Sequence, residues 1–98
     1  MVLARLPDDI ARRVTELFPD SDREAAASWL LRAKIHDGST AGPRLQRCAL
    51  IASRGSLEKL EYYVRLLAVD FRDVVVAGEY EVSDSGSLTR VRDLTRPL

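Results

Sequence analysis

The chain has 98 residues, 46% of them hydrophobic and 31% charged, which is the balance of one globular domain and excludes a disordered or two-domain chain. Fifteen Lys and Arg cancel fifteen Asp and Glu, with both signs spread through both halves, so no broad field exists to draw in nucleic acid or an anionic membrane. No apolar run reaches membrane-spanning length, no secretory leader opens the chain, and a lone Cys48 cannot form an internal disulfide, so the expected compartment is the cytoplasm.

Ile10, Val14, Leu17 and Phe18 recur at i, i+4, i+7 and i+8, which predicts a helix over residues 7–18 with Pro7 and two aspartates at its start. Pro19 stops it, and Ser21-Asp22-Arg23-Glu24 has the form of a capping box for a second helix over 22–36. That helix carries Ala26, Trp29, Leu30 and Ala33 on one stripe and Leu31 and Ile35 nearly opposite. A helix apolar on two sides is expected to be central. After a loop at 36–40, Pro43 opens a third helix over 43–54, with Leu45, Cys48, Ala49 and Ala52 as its stripe.

At Gly55-Ser56 the glycine suits the left-handed residue that ends a helix and the serine suits the cap of the next, so helices three and four form a tight hairpin. The fourth helix, over 57–69, turns Leu57, Leu60, Val64 and Leu67 to a core and leaves Tyr62, Leu66 and Val69 as a second stripe. Asp70 caps a fifth helix over 71–78, where the Phe71, Val74, Val75, Gly78 spacing outweighs the strand propensity of Val74-Val75-Val76.

A β-hairpin is predicted over 79–92 about the turn cluster Asp84-Ser85-Gly86-Ser87. The expected register faces Glu81 with Arg90 and Glu79 with Arg92 in solvent, and Val82 with Thr89 and Tyr80 with Val91 against the helices.

No side-chain constellation for catalysis stands at recognisable spacing, and no cofactor or metal is expected. His36, the only histidine, is expected to cap the C-terminus of the second helix. Cys48 falls in an apolar stripe and reads as a small buried hydrophobe. Trp29 reads as core, Asp70 and Asp73 as cap residues, and Asp84 as a turn starter. Residues 43–69 have the outline of a helix-turn-helix, but Glu58 and Glu61 would meet phosphates at the start of its second helix.

The predicted fold is mainly α, a compact single-domain bundle of about five helices with a small C-terminal β-hairpin. The expected function is a small non-enzymatic protein-protein interaction module: a bacterial adaptor, an inhibitor or immunity-type partner, or a self-associating homodimer. The bacterial expectation rests on thirteen of the fifteen basic residues being arginine. Candidate interface residues are Tyr62, Leu66, Val69, Leu31, Ile35 and Tyr80, because two helices carry more apolar face than one small core buries. The alternative is a nucleic-acid-associated accessory protein using an arginine surface of Arg12, Arg13, Arg44 and Arg47, joined by Arg54, which requires those side chains to converge.

Overall fold

The computed structural model describes residues 5–98. In chain order they form α1 (Asp8–Leu17), α2 (Asp20–Leu31), α3 (Pro43–Ser53), α4 (Leu57–Glu79), β1 (Tyr80–Val82) and β2 (Leu88–Arg90). The fold is mainly helical with a two-stranded antiparallel hairpin at the C-terminal end.

Four helices are present among the described residues, not about five, because the two expected over 57–69 and 71–78 are one kinked element. Asp70 leaves helical geometry at φ −155° and ψ 99°. Its carboxylate accepts from the Arg72 amide at 3.0 Å, so the next turn starts at once with no loop between. The capping residue is the one the sequence names, and it bends a helix where a break was expected.

The α2 boundaries also differ from the expectation. The helix begins at Asp20 behind Pro19, with no side-chain cap, so Ser21 and Glu24 do not form the capping box. It ends at Leu31, because residues 33–41 fold into a tight return. Ala41 donates to the Ala33 carbonyl, Ile35 donates to Ser39, and Lys34 bridges Thr40. Asp37 accepts from the Ser39 amide and Gly38 takes φ +86°, and both favour a turn over another helical one. His36 therefore sits in a turn and caps nothing.

The α3–α4 junction follows the expected chemistry. Gly55 has φ +79° and the Ser56 hydroxyl accepts from the Lys59 amide. Arg54 is left-handed too, so α3 ends at Ser53. The core joins Ile10, Val14 and Phe18 of α1, Ala26 and Leu30 of α2, Cys48 to Leu50 of α3, and Leu60, Val64, Leu67 and Val74 of α4. Residues 46–50 of α3 are all buried, so the central helix is α3 and not α2.

The hairpin forms in a register one residue away from the expected one: Tyr80 faces Arg90, Glu81 faces Thr89 and Val82 faces Leu88. The cause is the turn. Ser83 pairs with Ser87 around three residues, 84–86, with Gly86 at φ +84°, whereas the expected register needs four. The helices are not covered by it either. Every residue from 81 to 91 is exposed, and Tyr80 is half-buried at the base. Glu79, expected on the solvent face of a strand, is the fully buried last residue of α4.

Candidate functional site

The arginines singled out in the sequence do not form a free basic surface. Arg47 is buried and its guanidinium holds Asp9 at 2.9 Å, with a further bond to the Leu94 carbonyl. Arg44 grips both oxygens of Glu79 at 2.9 Å, and Arg90 adds a third contact to that carboxylate at 3.0 Å. Arg13 pairs with Glu16 on its own helix, and of these five arginines Arg12 and Arg54 stand in solvent with no acidic partner among the described residues. Facing Arg47, the Asp9 carboxyl is held below its ordinary pKa, chiefly by the guanidinium hydrogen bond. Arg44 does the same for Glu79.

Sequence reasoning missed these two acids. Arg44 and Arg47 ask for carboxylates from elsewhere only once α3 is known to be the central helix, which its sequence alone does not show.

The cluster also decides the chemistry of Cys48. Its thiol lies 3.8 Å from a Glu79 oxygen and is fully buried. Burial and the adjacent carboxylate push the thiol up to about 12, while Arg44 keeps Glu79 ionised and a poor proton acceptor. A nucleophile needs the opposite arrangement, a lowered thiol beside an accessible base.

His36 is exposed and stacks on Phe71, with ring centroids 6.3 Å apart and planes 16° from parallel. It shares a shallow depression with Val69, Asp70, Phe71 and Arg72. Arg72 already occupies the Asp70 carboxylate at 3.0 and 3.1 Å, and no His36–Asp70 ion pair exists among the described residues. Nor do three or more His, Cys, Asp or Glu side chains gather there as a metal site requires.

What the structure does bring together is a surface along the seam of α2 and α4. The Trp29 ring carries two guanidiniums, Arg32 at 4.8 Å and Arg65 at 5.6 Å from its centroid. On the same arc of α4, Tyr62 is 60% and Val69 76% exposed, and the His36–Phe71 stack continues the seam past the kink. A depression beside Trp29 is lined by Ser21, Glu24, Ala25, Ser28 and Arg32.

The candidate interface residues divide accordingly. Tyr62 and Val69 are exposed, Leu66 and Ile35 are half-buried and pack on the core from this side, and Leu31 is half-buried on α2. Tyr80 does not join them. It lies eleven residues beyond Val69, past the kink at Asp70 and at the base of the hairpin.

No protein-family model, curated protein or solved structure matches this chain.

Proposed function

We propose that this chain is a small non-enzymatic protein-binding module, an adaptor or inhibitor-type partner in a bacterial cytoplasm, and that the α2–α4 seam is its binding face. The observation that carries the reading is the Arg32–Trp29–Arg65 stack running into exposed Tyr62 and Val69. Trp, Tyr and Arg are the residue types that anchor protein interfaces, because each offers a large contact area with a polar handle. Stacking on Trp29 also limits the freedom of both guanidiniums, so a partner orders them at reduced entropic cost. The inaccessible Cys48 thiol and the engaged Asp70 carboxylate support a role without chemistry.

Photo-crosslinking in the native cell tests this reading. A benzophenone side chain replacing Tyr62 or Val69 is expected to yield a discrete protein adduct that weakens when Trp29 is replaced by alanine. The same probe at Arg12 is expected to yield none. Absence of any protein adduct from positions 62 and 69 overturns the reading, and nucleic-acid adducts from position 12 would favour the arginine-surface alternative.

A further inference from the structure

The β-hairpin leaves a defined set of backbone groups unpaired. Ser83 donates to Ser87 and Val91 donates to Glu79, so the hydrogen-bonded pairs of this antiparallel ladder are 79–91, 81–89 and 83–87. The pairs 80–90 and 82–88 between them are therefore non-hydrogen-bonded, and the N–H and C=O groups of Leu88 and Arg90 point outward from the β2 edge. On one face of the same ribbon Val82 and Leu88 stand directly opposite each other, 69% and 55% exposed. A two-stranded ribbon with neither face packed is marginal in water and gains stability from further strands.

We infer that the β2 edge pairs with the β2 edge of a second copy of this chain, antiparallel about a two-fold axis at Thr89. In that arrangement Leu88 and Arg90 of one copy exchange four backbone hydrogen bonds with Arg90 and Leu88 of the other. The result is a four-stranded sheet in which the two Val82–Leu88 pairs share one apolar face.

The charges fit a second copy. Thr89 meets Thr89 at the axis with no like-charge contact, and the Arg90 guanidinium is already compensated by Glu79 at 3.0 Å and Asp93 at 3.1 Å. The β1 edge does not fit. Its Tyr80 amide is spent on the Val76 carbonyl, and a two-fold through β1 sets Glu81 against Glu81. This contact uses a different surface from the α2–α4 seam and stands or falls apart from it.

The test is sedimentation or light scattering over a concentration series of the whole chain. The wild type is expected to approach twice the monomer mass as concentration rises. Thr89→Lys and Thr89→Glu, at an exposed position, are each expected to weaken the dimer about tenfold, by placing like charges at the axis. An equimolar mixture of the two is expected to restore it. In a sample mixing labelled and unlabelled wild type, intermolecular NMR contacts are expected between Leu88 and Arg90, a readout that needs no variant to fold. A wild type that stays monomeric throughout overturns the inference, whether or not the edge accepts a strand from another protein. So does a dimer that both variants form as tightly as the wild type, or one that lacks the Leu88–Arg90 contacts.

Discussion

Gly78 gives the strictest test of how α3 and α4 pack, because two physical effects predict opposite signs for one methyl group. On an exposed helix, Gly→Ala stabilises by about 0.5–1 kcal/mol through the smaller entropy loss of alanine. Gly78 is buried in the last turns of α4, however, and a Cβ there would sit 2.7 Å from the Cys48 Cα and 2.8 Å from both its Cβ and its carbonyl oxygen. To restore a contact of 3.4 Å, α3 must retreat by about 0.7 Å, and the atoms that block the methyl are mostly backbone and cannot rotate away. Overpacking of this kind costs about 1–3 kcal/mol.

The contact therefore outweighs the propensity, and Gly78→Ala is expected to destabilise the protein by about 1–2 kcal/mol. For a domain of this length that is a fall in melting temperature of roughly 4–16 °C. Denaturant titration and calorimetry measure it. Gly42→Ala is the control, since nothing lies within 4 Å of its Cβ position. A Gly78→Ala protein as stable as the wild type, or more so, would refute the close approach of the two helices.

Four further outcomes follow from the same packing. Gly55→Val meets both a φ of +79° and the Leu17 carbonyl oxygen 2.7 Å from its Cβ, so thermal unfolding should show a loss of about 2 kcal/mol or more. Arg47→Met strands Asp9 where both side chains are about nine-tenths buried, and is expected to cost about 3–5 kcal/mol in urea titration; Arg44→Met leaves Glu79 with Arg90 and costs less. Asp9 and Glu79 are held below their ordinary pKa values, so their contribution is complete above the unfolded values near pH 4 and disappears as pH falls through the folded ones. The denaturation midpoint should accordingly drop in acid, and less steeply in Glu79→Gln. Cys48 should react with a thiol reagent only at the rate at which the domain opens, so its labelling should accelerate in step with added denaturant.

Local signals were legible where local physics decides the outcome. The glycine at 55, the serine cap at 56, the proline opening α3 and the Asp70 cap all act within a few residues, and each stands where its chemistry points. The hairpin's existence is local too. Its register depends on whether the turn holds three residues or four, and Gly86 in the left-handed conformation fits the shorter one. The α2 end is a competition between two local structures, and the Asp37–Gly38 turn wins over the apolar period that continues through Ile35.

What the sequence hid are contacts between distant positions. Arg44 and Arg47 look like solvated helix charges until α3 is known to be central, and their partners lie 35 and 38 residues away. Gly78 reads as a helix end until Cys48 is known to pass beneath it. The seam was half legible: Tyr62, Leu66 and Val69 share a period, whereas Trp29 reaches them only through the packing of α2 on α4.

The end of α4 explains why the hairpin stands clear of the body and is still fixed at its root. A carboxylate at a helix C-terminus is unfavourable, because the last carbonyls already carry partial negative charge. Glu79 is tolerated there because Arg44 and Arg90 surround it and the Leu94 amide donates to it at 3.3 Å. The orphan carbonyls of the same turn are met by the returning chain: Val91 and Arg92 both donate to the Glu79 carbonyl, and the Arg92 guanidinium donates to Gly78 at 2.7 Å. Leu94, buried immediately beyond, pins that return to the core. The first and last residues of the hairpin are thus bound to the helix end, and of the residues between only Arg90 reaches back to it, through Glu79. Loosening the root, as Glu79→Gln would, should therefore raise amide exchange throughout residues 80–92 before it affects α1 or α2. Uniform exchange across the whole chain in that variant would show that the hairpin and the helices open as one unit.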